Sequence, residues 1–191
     1  MILLIVGLAT WFVVHLFPIF ALGPRGALKA KFGLGYTIAY ALISVGTIVL
    51  IVQGYGAAPF IEVWSPPTFL IHVNNLLMVI AVLFFIGGTF KSSPVLRWTR
   101  HPQLNGVKTW AIAHLLVNGD LASILLFGGF LVWGVVAMIG SNKRDGKPVR
   151  ELTSTAMGLV LHLAATAVVT IAVMMAHWYL GAVWPFAGSP P

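Results

Sequence analysis

Cysteine does not occur anywhere in the 191-residue sequence. Its absence excludes disulfide bonds, thiolate ligation of haem, cysteine-bound iron–sulfur clusters and the C-x-x-C-H attachment of c-type haem. Any haem that this chain binds must therefore be held without thioether links. The sequence also has no P-loop, no nucleophile elbow and no H-E-x-x-H. Hydrolytic and nucleotide-dependent functions consequently have no motif to support them.

Charged residues are scarce as well. Only 8% of the residues are charged and 59% are hydrophobic, whereas about a quarter of a soluble globular domain is charged. The composition therefore predicts an integral membrane protein in a lipid bilayer. The formal net charge of +7 does not indicate nucleic acid, because every Lys and Arg lies in one of three short segments between apolar runs. Those segments, Arg25–Lys31, Lys91–Lys108 and Lys143–Arg150, have the placement that is typical of cytoplasmic loops.

The apolar runs between these loops predict an all-α, polytopic transmembrane helix bundle that forms one domain over residues 1–191. No basic residue precedes Arg25, so we expect the first run to be a retained helix and not a signal peptide. The central run, Gln103–Gly140, is too long for one crossing and has basic loops on both sides, so it must contain an even number of crossings. The predicted spans are 1–22, 34–52, 68–90, 103–117, 121–139 and 153–183, with periplasmic N and C termini, an inside loop at 23–33, an outside loop at 54–67 and a tight turn at 118–120.

Histidines on several predicted spans are candidate ligands. His15 follows Trp11 by one helical turn on the first span, and His114 follows Trp110 in the same way on the fourth. Helix bundles hold cofactors between facing helices, and imidazole is the usual axial ligand of haem iron. A histidine that only bonds to a neighbouring helix or a backbone carbonyl would give the same pattern. The remaining candidates are His72 near the outer end of the third span, His162 and His177 on the last span, Asn118 one turn after His114, and Asp120, which either caps a helix or orients a ligand histidine.

Several segments resemble one family of bacterial membrane proteins. The central stretch reads WAIAHLLVNGD and then ILLFGGFLVW, and it is similar to the NnrU family, which is named for a link to nitric oxide and denitrification. NnrU proteins are similar in turn to the ζ-carotene isomerases, in which histidines bind haem. Further matching segments are QGYGAAP at 53–59, WSPP at 64–67 and HVNNLLM at 72–78.

The resemblance implies a site and a function. It implies a non-covalent haem b whose iron is bound by His15 and His114, with His72 and His177 as reserve ligands and with Trp110 and Asn118 beside the haem. It also implies a multi-pass protein of the bacterial inner membrane that acts in nitrogen-oxide or related redox metabolism, with isomerase-like chemistry as one alternative. One position departs from the isomerases: Ala111 stands where they carry a cysteine three residues before the second ligand. A ligand switch of the isomerase type would lack its cysteine in this chain.

Two other functions stay open. RHPQLNG, at 100–106, is similar to the R-H-P-x-x-x-G motif of membrane isoprenylcysteine carboxyl methyltransferases, where it helps to form the S-adenosylmethionine pocket. The present segment has Asn105 where that family usually has an aromatic residue. The other open function is that of a non-catalytic accessory or assembly subunit of a membrane respiratory complex, in which the histidines are only structural. The sequence fixes neither the redox or respiratory partner nor the oligomeric state.

Overall fold

A computed structural model describes residues 1–95, 99–146 and 154–179, without the side chains of Trp178 and Tyr179. These residues form seven helices, and within them the structure has no strand, only an isolated bridge that pairs Glu62 with Asp120. The predicted all-α class is confirmed. The helices are α1 (Ile2–Phe20), α2 (Leu22–Phe32), α3 (Leu34–Gly56), α4 (Leu70–Gly87), α5 (Pro102–Leu115), α6 (Leu121–Asp145) and α7 (Ala156–Tyr179).

Five of these helices are long and apolar enough to cross a membrane: α1, α3, α4, α6 and α7. They expose many large apolar side chains, such as Ile2, Val13 and Leu42, which are 79%, 71% and 68% exposed. Helices with apolar outer faces and internally satisfied backbone groups are the form in which a chain spans lipid. The chain is a multi-pass membrane protein.

The segment 23–33, which we expected to be a loop, is helical as far as Phe32. α1 ends at Phe20, shortly after Pro18, and α2 begins at Leu22. Pro24 lies in the first turn of α2, where a proline removes no helical hydrogen bond, and the alanine, leucine and lysine residues that follow are good helix formers. Gly33, with φ of 52°, then separates α2 from α3. The basic charge of this segment predicted the side of the membrane that it faces, but it gave no information on the conformation of its backbone.

The divided central run is confirmed. α5 ends at Leu115 and α6 begins at Leu121, with the turn between them. Asp120 caps α6, because its Oδ1 accepts a hydrogen bond of 3.0 Å from the Ser123 amide. At 14 residues, α5 is about 21 Å long, less than the roughly 30 Å of a bilayer core. A sixth full crossing and the periplasmic termini therefore stay predictions.

The chain divides into two compact units. The first unit comprises the described residues of Met1–Ser65 and Asn118–Lys147. Here α1 packs against both α3 and α6, and glycine permits the close approach to α3 because a Cβ on Gly54 would overlap the backbone of Leu4. Small residues at helix contacts are a common means of close packing in membranes.

The second unit comprises the described residues of Pro66–Val117 and Pro148–Pro191. In it α4 packs against α5 and α7. Gly106 on α5 allows the first of these contacts, since a Cβ there would lie 2.9 Å from the Phe85 amide nitrogen. The prediction of a single domain stays a prediction.

Candidate functional site

A small cavity lies inside the second unit. Its volume is about 40 Å³, which is room for one or two water molecules. Three helices supply its walls, and the lining combines four apolar side chains with two imidazoles, one amide and one hydroxyl. The lining residues are Asn74, Met78 and Val82 from α4, His114 from α5, and Thr170, Val173, Met174 and His177 from α7. The cavity thus collects polar groups at one place in an apolar bundle.

The tautomer of His114 follows from its hydrogen bond. Its Nδ1 lies 2.9 Å from the carbonyl oxygen of Trp110, one turn earlier on α5. A carbonyl oxygen can only accept, so Nδ1 carries the proton and donates, and in the neutral ring the lone pair is on Nε2. A histidine whose Nδ1–H is held by a backbone carbonyl and whose Nε2 has the lone pair is the form that binds metals.

His177 has the same tautomer. Its Nδ1 donates to the carbonyl oxygen of Val173 over 3.1 Å. The ring centroids of His114 and His177 are 6.2 Å apart, and the two planes differ by 25°. When two imidazoles bind one metal ion from opposite sides, their ring centroids are about 6 Å apart. Each side contributes a metal–nitrogen bond of about 2.0 Å and roughly 1 Å from that nitrogen to the ring centroid. The separation alone equals that of two imidazoles on one ion, but the rings are stacked here. Because the lone pair of an imidazole lies in the ring plane, both rings would have to turn before their Nε2 atoms could point at a common ion.

Two buried polar atoms at this cavity have no hydrogen-bond partner among the described residues: Asn74 Oδ1 and Thr170 Oγ1. We call them the open polar atoms. Thr166, one turn before Thr170, bonds its hydroxyl to the His162 carbonyl at 2.8 Å, which is the usual solution for threonine in a helix. Because burying an unmade hydrogen bond is costly, open polar atoms at a cavity indicate a ligand or an ordered water.

His162 is engaged through both ring nitrogens. Nε2 donates to the Leu83 carbonyl oxygen over 2.9 Å, so Nδ1 must accept the hydroxyl hydrogen of Ser93, whose Oγ is 2.8 Å away. The ring is fully buried and stacks on Phe90 with centroids 5.0 Å apart. This histidine holds the end of α4 and the segment after it against α7. It is a structural residue in this conformation.

His15 lies in the first unit among aromatic rings. Its Nδ1 is 3.1 Å from the Trp11 carbonyl oxygen, so its tautomer is the same as that of His114. Its ring stacks on Trp11 with centroids 3.6 Å apart, and Tyr40 and Trp133 stand at 5.6 and 6.1 Å. The prediction that His15 binds iron together with His114 stays a prediction.

The remaining candidates have different surroundings. Trp110 lies next to His114, with ring centroids 5.3 Å apart. His72 is exposed near the start of α4 and does not line the cavity, whereas Asn74 does. Asn118 falls in the first unit.

Asn74 is the residue that the sequence reasoning missed. The spacing of Asn74, Met78 and Val82, one residue per helical turn, was the available signal, because it places a polar group in line with two apolar ones on one face of α4.

Within the part of the chain that the structure describes, no group of three or more His, Cys, Asp or Glu residues could hold a metal ion. A structural metal ion commonly needs four protein ligands. Haem differs, because its porphyrin occupies the equatorial positions of the iron and the protein needs to supply only one or two axial ligands. The donor set of the cavity fits haem iron better than a bare ion.

Taken together, the helices and the buried imidazoles define a multi-pass α-helical membrane protein with a polar cavity in one of its two units. Residues 3–185 match the family described as NnrU protein. The match covers nearly the whole sequence, so the chain belongs to the NnrU family. No curated protein and no solved structure matches the chain.

Proposed function

We propose that this NnrU-family chain is a membrane haem protein in which His114 binds the iron of a non-covalently held haem b. His177 is the second imidazole within the same unit. In line with the family resemblance, the protein acts in the bacterial inner membrane, in nitric-oxide-linked or related redox metabolism. When bound, the haem would supply one-electron chemistry at the iron.

One observation carries this proposal: two imidazoles with the metal-binding tautomer face one cavity at a ring separation of 6.2 Å. Backbone carbonyls of Trp110 and Val173 accept the Nδ1–H of the two rings, so the tautomer of each ring is set before any ligand arrives. Such hydrogen bonds also raise the basicity of the nitrogen that binds the metal.

A porphyrin needs far more room than the present 40 Å³. Two lining side chains, Met78 and Met174, are unbranched and flexible, and methionine adapts its shape more easily than other apolar residues. We therefore expect haem binding to displace these two side chains. The open polar atoms of Asn74 and Thr170 would then bond to an ordered water near the haem.

The test is the visible absorption spectrum of the purified protein, oxidised and dithionite-reduced, made with an adequate supply of haem. The wild type should show a Soret band, and His114→Ala should retain less than about a tenth of the haem, which corresponds to a loss of at least about 1.4 kcal/mol in binding. His101→Ala, at the N-terminus of α5, is the matched imidazole control and should keep full haem content. Protein without a Soret band would refute the haem proposal and favour the accessory-subunit function.

His177→Ala and His15→Ala assign the second ligand. Our proposal predicts that His177→Ala shifts the Soret band or loses haem, while His15→Ala leaves the spectrum unchanged. The opposite result would retain haem but assign its second ligand to His15, as the resemblance implies.

A second candidate function, methyl transfer, is favoured by one observation at the RHPQLNG segment. The Nη2 atom of Arg100 is buried and has no hydrogen-bond partner within the described ranges. A buried guanidinium nitrogen suits a carboxylate such as that of S-adenosylmethionine. Calorimetric titration with S-adenosylmethionine tests this: saturable heat that Arg100→Gln abolishes would support it, and the absence of heat would reject it.

A further inference from the structure

The first unit contains a cluster of aromatic rings that the haem proposal does not use. The rings of Trp11 and His15 on α1 meet those of Phe130 and Trp133 on α6. Trp11 lies 5.3 Å from Phe130 and 5.5 Å from Trp133 between ring centroids, both in edge-to-face arrangements. Trp133 is also perpendicular to His15, at 6.1 Å. We call these four residues the aromatic cluster, and Tyr40 of α3 borders it at 5.6 Å from His15.

Both indole nitrogens of the cluster are buried without an acceptor. Trp11 Nε1 and Trp133 Nε1 have no hydrogen-bond partner among residues 1–95, 99–146 and 154–179. We call them the open donors. A buried tryptophan usually finds a partner for its N–H, because the group can only donate and loses its bond to water on burial. Two open donors in adjacent rings are unusual and indicate a site for an added acceptor.

The rings are held in place, so the open donors cannot easily turn toward the backbone. Trp11 is stacked on His15 with an angle of 17° between the planes, and His15 is itself bonded to the Trp11 carbonyl. Trp133 is only 9% exposed and has an edge contact with both of these rings. The two indole N–H groups are therefore fixed in position and direction.

The chemistry of the cluster limits the ligand. It must offer hydrogen-bond acceptors, be flat enough to lie among aromatic rings, and reach α1 and α6 from the bilayer. A carboxylate is disfavoured, because rings and a neutral imidazole give no positive charge to balance it in an apolar setting. A lipid-soluble molecule with ketone oxygens on a flat ring has all of these properties. We propose that Trp11 and Trp133 donate hydrogen bonds to the carbonyl oxygens of a membrane quinone.

His15 complements the two indoles. Its Nδ1 donates to the Trp11 carbonyl, so its Nε2 has the lone pair in the neutral ring. That nitrogen accepts a hydrogen bond from a hydroxyl but gives none to a ketone. The cluster therefore suits both forms of the ligand: the indoles bind the carbonyl oxygens of the quinone, and the imidazole binds a hydroxyl of the quinol. This inference is independent of the haem proposal, because its residues all belong to the first unit and those of the cavity to the second.

The experiment titrates ubiquinone-1, a short-tailed quinone, into the detergent-purified full chain and records the indole N–H signals by NMR. The chain has seven tryptophans, and Trp11→Phe and Trp133→Phe assign the two signals of interest. Both signals should shift saturably to the frequencies of bonded N–H groups. Each Phe variant keeps a ring but loses one donor, and it should weaken binding about fivefold, as expected for one neutral hydrogen bond. If a Phe variant fails to fold, Trp→Tyr at the same position assigns the signal.

Trp64→Phe is the matched control, since Trp64 is in the same unit but is 38% exposed and outside the cluster. It should bind ubiquinone-1 with unchanged affinity. The proposal is overturned if the signals of Trp11 and Trp133 do not move, or if Trp64→Phe weakens binding as much as the cluster variants do. A response of these signals to oleate but not to ubiquinone-1 would also overturn it, because the ligand would then be a carboxylate.

Discussion

His162 and His177 stand on the same helix, α7, and differ in what their nitrogens do. His162 is fully buried and uses both nitrogens, on Leu83 and Ser93. His177 uses Nδ1 on its own helix and turns toward a cavity that also contains His114. The difference teaches that neither the position of a histidine in an apolar helix nor its helical phase identifies a ligand. We infer that the hydrogen bonds of the ring are the better guide, because a histidine with both nitrogens engaged, such as His162, has no nitrogen left for a ligand.

The same contrast separates the two threonines between them. Thr166 bonds its hydroxyl to the backbone of α7, and Thr170 has one of the open polar atoms at the cavity. The two hydroxyls, one turn apart on α7, thus differ in whether their hydrogen bond is made. The predictions below test this difference, beginning with the largest expected effect.

Replacing His162 should destabilise the protein most. His162→Ala removes two hydrogen bonds, leaves the Leu83 carbonyl and the Ser93 hydroxyl without their partner, and creates a void beside Phe90. We expect a loss of about 2–4 kcal/mol in the free energy of unfolding, measured by thermal or denaturant unfolding in detergent. His177→Ala in the ligand-free protein is the comparison and should cost less than about 1 kcal/mol, because its single bond stays within its own helix. Equal losses in the two variants would remove the distinction between them.

Removing the cap of α6 should have an intermediate effect. Asp120→Ala loses the acceptor of the Ser123 amide and should lower the free energy of unfolding by about 1 kcal/mol. Asp120→Asn keeps an acceptor and should lower the free energy of unfolding by only about a few tenths of a kcal/mol. If Asp120 orients a haem ligand and is not only a cap, both variants will change the haem spectrum, and the prediction here is that neither does.

The smallest effect, and one of opposite sign, is expected at Thr170. Thr170→Val replaces an open polar atom by a methyl group of similar size, so the ligand-free protein should be unchanged or more stable by up to about 1 kcal/mol. Thr166→Val breaks an existing hydrogen bond and should be less stable than the wild type. Unfolding curves of the two variants, recorded side by side, check the signs. A destabilised Thr170→Val would mean that its hydroxyl already has a partner.

Much of the fold was predictable because hydrophobic length and basic loops are properties of the sequence itself. The helical class, the turn between α5 and α6 and the alternative that Asp120 caps α6 all follow from apolar runs, charge and local turn chemistry. α2 was not predictable by these means, because a basic segment between two spans has the same hydropathy whether it forms a loop or a short helix. Local helix propensity was the better guide there.

The site was predictable only in part. Spacing identified His114 and His177 as candidates, but the sequence could not show which histidine has both nitrogens engaged, because Leu83 and Ser93 are distant from His162 along the chain. Asn74 was missed for a related reason: its importance comes from facing α7, and periodicity within α4 does not indicate the partner. The open donors of Trp11 and Trp133 are likewise visible only in three dimensions, since the absence of an acceptor depends on every neighbouring residue.

The most direct test of the central claim is the electron paramagnetic resonance spectrum of the ferric protein, with the wild type beside His177→Ala. Two axial imidazoles make ferric haem low-spin, so the wild type should show a low-spin signal. His177→Ala should become high-spin and return to the low-spin signal when free imidazole is added, because the added ligand replaces the missing ring. A low-spin spectrum in His177→Ala without imidazole would contradict the account, since the second ligand of the iron would then be another residue.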